Sequence, residues 1–166
     1  MPTALTRELT VSTGGKTDIR PIPVAASQSI KLGDILIASD SNGRCSQAAS
    51  AGNNVAAAGA NVRLAVAAQD ASSLATDTEI AVEFVGNGNK MLRMPLLTDD
   101  TPLAWSAAFR GKQYEIRRVT TTGEYGVNTN ATTNVKVEVV GVDESTASDT
   151  YCYVWVRPLE NASWAR

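Results

Sequence analysis

A chain that carries the same β-patterned segment twice is confined to a tandem of small β units, and such a repeat is visible here. Val62-Arg63-Leu64-Ala65-Val66, then Asp70, then Ala75 to Phe84 is echoed by Val135-Lys136-Val137-Glu138-Val139, Asp143 and Ala147 to Val156. Repetition has to be sought before any fold assignment, because it fixes the size of the folding unit. Gly33 and Gly111 stand 78 residues apart, Gly43 and Gly123 80, Val62 and Val135 73, and Asp77 and Asp149 72. The spacing falls in one place, across an Ala/Gly/Ser/Asn-rich insertion from Cys45 to Asn61 in the first copy. This agreement predicts a mainly β protein of two tandem antiparallel β units, of barrel or sandwich type, preceded by an extended N-terminal arm.

The expected division is an arm at 1–28, a first β unit at 29–98 and a second β unit with a short tail at 99–166. Gly14-Gly15, Pro21 and Pro23 deny the arm a long helix or a central strand. Ile30 to Ala38 reads as strand, and Asp40-Ser41-Asn42-Gly43 supplies hairpin turn chemistry before the chain returns through Arg44 to Gln47. Strands are expected again at 62–68, 79–85, 90–97, 113–120, 125–128, 135–142 and 151–157. Between the copies, Asp99-Asp100-Thr101-Pro102 predicts either one short helical turn through Phe109, with Pro102 at its first position and Gly111 stopping it, or an irregular connection.

Side chains alternate across a strand, so Ile80, Val82 and Phe84 share one face while Glu79, Ala81 and Glu83 share the other. In the second copy Cys152, Val154 and Val156 keep the apolar face, but the opposite face becomes Tyr151, Tyr153 and Trp155. Three aromatics where the twin presents Glu-Ala-Glu require a cover. The first copy, the 99–110 connection or a partner subunit would supply it.

The composition argues against most catalytic chemistry. With no histidine, Ser-His-Asp and Cys-His triads and the commonest metal ligand are absent, and two distant cysteines cannot build a zinc site. Cys45 and Cys152 lie in different copies, and Cys152, at the place of Ile80, reads as a small buried hydrophobe rather than half of a disulfide. Asp70, Asp99, Asp100 and Asp143 sit in turn contexts that favour aspartate for backbone reasons. Asp40-Ser41-Asn42-Gly43 lacks the further acidic ligands of a calcium loop, and Gly14-Gly15-Lys16-Thr17 lacks the upstream glycine of a phosphate loop. No catalytic residue, cofactor or metal is expected.

A net charge of -2 and scattered basic residues, with Arg117-Arg118 the only adjacent pair, argue against nucleic acid as partner. Residues 1–10 do not read as a leader and no apolar run is long enough for a membrane span, so synthesis in the cytoplasm is expected. The sequons at Asn130 and Asn161 would matter only in a secreted eukaryotic protein.

Ile30-Lys31-Leu32-Gly33-Asp34-Ile35-Leu36-Ile37-Ala38 leading to a glycine turn, with Val137-Glu138-Val139-Val140-Gly141-Val142 leading to Val154-Trp155-Val156-Arg157-Pro158-Leu159, resembles the small β-rich capsid decoration, or cement, proteins of tailed bacteriophages. The resemblance covers residues 28–160. It implies a non-enzymatic virion protein that assembles, often as a homotrimer, on the capsid exterior and clamps neighbouring major capsid subunits. On that reading the arm, through Arg7, Lys16 and Arg20, contacts capsid protein by strand addition to a sheet edge, and Tyr151, Tyr153 and Trp155 lie at a covered interface. The alternative is a tail, baseplate or host-surface carbohydrate-binding β module, with Trp105 or Trp155 stacking on sugar rings. An enzyme ranks behind both.

Overall fold

The computed structural model describes residues 12–13, 19–25, 27–38, 43–55, 63–72, 75, 77–85 and 90–159. In chain order the elements are β1 (Ser12–Thr13), β2 (Ile19–Pro23), β3 (Ile35–Ala38), β4 (Cys45–Gln47), β5 (Arg63–Ala67), β6 (Glu79–Phe84), β7 (Met91–Thr98) and β8 (Thr101–Pro102). A single 3-10 turn (Ala107–Phe109) leads to β9 (Gln113–Arg118), β10 (Tyr125–Asn128), β11 (Val137–Val142) and β12 (Tyr153–Pro158). The protein is mainly β, and no helix among the described residues is long and apolar enough to cross a membrane.

Two sheets carry the duplication. The first runs β2-β6-β5-β3-β4, and the second runs β7-β12-β11-β9-β10. In the second, β10 returns to pair in parallel with β7, through Val127↔Leu96 and Asn128↔Leu97, and so closes a five-stranded barrel. In the first, the same closure is reduced to one parallel bridge, Val24↔Cys45. All other pairings between these strands are antiparallel.

The hydrogen-bond ladders define the repeat more sharply than the letters do. Ile22↔Ile80 recurs as Met94↔Val154, Leu36↔Ala65 would fall on Tyr114↔Val137, and Ile37↔Ser46 on Glu115↔Asn128. The Gly33 amide donates to the Ala67 carbonyl over 2.8 Å, and the Gly111 amide donates to the Val139 carbonyl over the same distance. Both glycines hold a left-handed φ, +84° and +73°, which a Cβ would oppose. The spacing that sets Val62 against Val135 is therefore one residue out of ladder register, and Ile80 corresponds to Val154 rather than Cys152.

The ladders also place β2 and β7 as equivalent first strands of the two barrels. Residues 19–23, expected within the arm, belong to the first sheet, and 91–98, expected in the first unit, open the second barrel. Pro21 and Pro23 are compatible with this because of phase. The Val24 amide donates to Thr78 on the β6 side, so alternate residues Pro21 and Pro23 direct their missing N–H away from that ladder. Pro102 lies in β8, paired with Leu97, and does not start a helix. Asp99, at φ +51°, turns the chain there, while Ser106 caps the 3-10 turn by accepting from the Ala108 amide.

Each barrel has its own interior. Val24, Leu36, Cys45, Ala65, Ala67, Ile80 and Val82 fill the first, and their ladder equivalents Leu96, Tyr114, Val127, Val137, Val139, Val154 and Val156 fill the second. The second interior extends further, because Ile35, Leu64 and Val66, on the opposite face of the first sheet, join its cluster together with Val55 and Val85. Residues 52–55, inside the insertion, add an extra strand-like edge to β9. Gly52 donates to Arg118, Arg118 to Asn53 and Val55 to Ile116.

Gly126 lies where β10 meets β7, and a Cβ there would come within 2.4 Å of Leu97 Cδ1 and 2.9 Å of the Pro95 carbonyl oxygen. Gly126→Ala is expected to cost about 2–3 kcal/mol through overpacking against backbone. Gly111→Ala, with nothing within 4 Å, is expected to cost about 1 kcal/mol from its left-handed φ alone. Urea unfolding midpoints of the two variants check the order.

Candidate functional site

The outer face of the second barrel is where the two copies diverge. By ladder register Tyr153 stands where Glu79 stands in the first copy, Trp155 replaces Ala81 and Arg157 replaces Glu83, while Tyr151 precedes the strand. Tyr153 is buried, whereas Tyr151 and Trp155 are half-buried.

The two tyrosines are covered from within the second unit. Their hydroxyls donate to the two oxygens of Glu124, over 2.8 Å from Tyr151 and 3.2 Å from Tyr153, and their rings meet edge to face at 5.7 Å. Glu124, itself buried, ends the turn between β9 and β10, so this carboxylate ties that hairpin to β12 across the barrel wall. On the other side the Arg93 guanidinium, from β7, lies 3.9 Å from the Tyr153 ring centre and its Nε donates to Asp143 over 2.6 Å. A cation stacked on a phenol ring while paired to a carboxylate holds all three groups in one geometry. The Ser145 hydroxyl, followed by Arg93, holds the Asp143 carboxyl below its ordinary range against the opposing effect of burial. Glu124 and Arg93, both from the second unit, thus contribute to the cover of the two tyrosines.

Trp155 is the aromatic that this clamp does not enclose. Its cross-strand neighbours are Arg93 on β7 and Gly141 on β11, and the β11–β12 register shifts between Val139 and Gly141. The displaced residue, Val140, is 40% exposed. The β5–β6 ladder has no such bulge. Trp105 is half-buried, packs against the second core and stands 6.3 Å from Phe109, which in turn meets Tyr114 at 6.4 Å.

Of the arm residues, Arg7 and Lys16 lie outside the described residues. Arg20 is on β2, with its guanidinium 5.5 Å from the Phe84 ring at the edge of the first core. β1 pairs antiparallel with β7, Ser12 against Leu92 and Thr13 against Met91, so this part of the arm adds a strand to the second unit of its own chain.

Asp70, Asp99, Asp100 and Asp143 all brace loops, whereas Asp40 lies outside the described residues. Asp70 accepts from the Leu32 amide, Asp99 from the side chains of Asn128 and Asn130, and Asp143 from Ser145 and Arg93. Asp100 accepts from Arg117 Nε at 2.9 Å and from the Thr120 hydroxyl at 2.6 Å. Cys45 and Cys152 are buried and unbridged, and burial pushes the Cys45 thiol up to about 11, away from thiolate chemistry. Among the described residues no group of three or more His, Cys, Asp or Glu side chains could hold a metal ion. In comparisons with known proteins, no family model, curated protein or solved structure matches the chain.

The Arg117 and Thr120 bonds hold the Asp100 carboxyl at about 2, below its ordinary 3.8. A depressed folded-state value contributes stability that is present above the unfolded value and lost as pH falls through the folded one. Stability is therefore expected to decline from about pH 4 towards pH 2. Asp100→Asn should flatten the part of that decline due to this group, read as urea midpoints across the acid range.

Proposed function

We propose that the protein is a non-enzymatic virion component that decorates a tailed-phage capsid and stabilises it by bridging neighbouring major capsid subunits. The observation that carries this reading is the position of the resemblance in the fold. Ile30–Ala38 ends in β3 and Val137–Leu159 contains β11 and β12, the strands that build the walls and cores of the two barrels. The resemblance therefore involves the scaffold and not a peripheral loop.

The physical features fit a protein that works by attachment. Among the described residues several acidic and basic side chains brace the structure, as in Arg44–Asp77, Lys90–Glu83, Arg93–Asp143 and Arg117–Asp100. β1 supports a role for the arm, since it forms a ladder on a sheet edge remote from it in sequence. An extended segment that adds to an edge within the chain has the chemistry to add to a neighbour's edge, because the bonds are made by main chain. Many such copies on one shell would combine weak contacts into firm attachment. Trimers on the capsid exterior, after synthesis in the host cytoplasm, complete the reading.

Deletion of residues 2–11 tests the arm without touching β1 or β2. The shortened protein is expected to keep its thermal midpoint and to cosediment less with purified heads that lack decoration. Unchanged binding would remove the arm from the contact, and failure of the full chain to bind any heads would sink the decoration reading.

A further inference from the structure

We propose that the outer face of the β11–β12 hairpin, centred on Trp155 beside the Val140 bulge and bordered by Arg110, with Lys112 two residues on, docks an acidic segment of another protein on the assembled shell. This rests on the decoration reading and names the surface and the partner chemistry it uses.

The first copy serves as an internal control. At the ladder position of Trp155 it has Ala81, and its β5–β6 ladder runs without a bulge. The second copy has gained two things at one place. One is a large aromatic, half-buried among its strand neighbours. The other is an extra residue in β11 that exposes Val140 and leaves Gly141, which has no side chain, directly opposite Trp155. A bulge re-aims side chains and interrupts pairing, and bulges concentrate at functional edges. Together they place an indole opposite a residue without a side chain, with an exposed valine beside it. Packing of the second core does not require either change, since Val139, Val154 and Val156 supply it.

Charge selects the partner. On the strands of this hairpin Glu138 is engaged with Arg157 at 3.0 Å, and Asp143, just after β11, with Arg93 at 2.6 Å, while the exposed Glu144 and Asp149 lie in the loop that joins β11 to β12. Arg110 and Lys112 are exposed and hold no ion pair among the described residues. Both flank Gly111, whose amide is bonded to Val139 next to the bulge, and Arg110 Nη2 lies 3.8 Å from where a Cβ on Gly141 would sit. An aromatic anchor with one uncommitted cation at its rim and a second two residues away suits a segment that presents carboxylates around an apolar or proline side chain, with the indole giving affinity and the cations orientation.

The test is cosedimentation of the full chain with undecorated heads over a range of salt. Arg110→Glu combined with Lys112→Glu changes only exposed side chains and should weaken binding about tenfold at low salt, with most of the salt dependence lost. Trp155→Ala should weaken it about tenfold or more at every salt concentration. Lys31→Glu, an exposed change on the first unit, should bind as the parent does. If the parent binds and the Arg110/Lys112 variant binds equally with the same salt dependence, the docking face is wrong while the decoration reading stands. If the parent does not bind heads, both fall. Glycan binding that Trp155→Ala abolishes, in place of head binding, would overturn the protein partner.

Discussion

The arrangement of the two barrels depends on the first sheet being apolar on both faces. One face, with Leu36, Ala65, Ala67, Ile80 and Val82, closes on itself as the first core. The other presents Ile35, Leu64 and Val66 to the cluster that continues into the second barrel. Burying three aliphatic side chains of this size contributes about 1.5–3 kcal/mol each, against a total stability of about 5–15 kcal/mol for a domain. The first barrel therefore has reason to stay docked on the second. The segment at 52–55 reinforces the contact, because its backbone bonds to Arg118 and Ile116 join the insertion of one unit to the ladder of the other.

The same face in the second unit is polar where that of the first is apolar. Ladder equivalence puts Gln113 where Ile35 stands, Glu115 for Ile37, Lys136 for Leu64 and Glu138 for Val66. An apolar face there would invite another barrel head to tail, and such a contact has no reason to close. Glu115 is buried instead by the chain itself, accepting from the amides of Thr133 and Asn134 so that residues 129–135 fold over the face. Lys136 is buried beside it, with desolvation lowering its pKa against the opposing pull of Glu115. Glu138 is engaged by Arg157. Charge and a self-covering loop replace the aliphatic surface, so the two units differ in what this face can bury.

Much of the fold was legible from residue patterns. The glycines that anchored the repeat, Gly33 with Gly111 and Gly43 with Gly123, all adopt left-handed φ, a conformation that turn position and residue type announce together. The core faces followed from strand alternation, and the ladders bear out Ile80, Val82, Val154 and Val156. The place of residues 19–23 is less legible, because Pro21 and Pro23 argue against a central strand and leave an end strand such as β2 open. Whether a proline breaks a ladder depends on which way its nitrogen faces, and that phase is set by the partner strand, not by the local sequence. The Glu124 clamp was hidden for a related reason. Glu124 lies 27 residues from Tyr151 and 29 from Tyr153, and nothing in a turn sequence Thr122-Gly123-Glu124 shows that its carboxylate will be buried against two phenols. Only barrel closure, which brings β10 beside β7 and β7 beside β12, places them together.

That closure also separates the three aromatics that the sequence grouped as one surface. Strand alternation put Tyr151, Tyr153 and Trp155 on a common side, but their neighbours on β7 and in the β9–β10 turn differ along the strand. The two tyrosines meet Glu124, and Arg93 stacks on Tyr153, so these groups lock the barrel seam where a parallel two-residue pairing would hold it less firmly. Trp155 lies two residues further along, opposite Gly141, where the bulge has removed any comparable partner. One stretch of β12 thus has two physical roles. Its first half serves closure of the second barrel, and its second half carries the departure from the twin unit that closure does not explain.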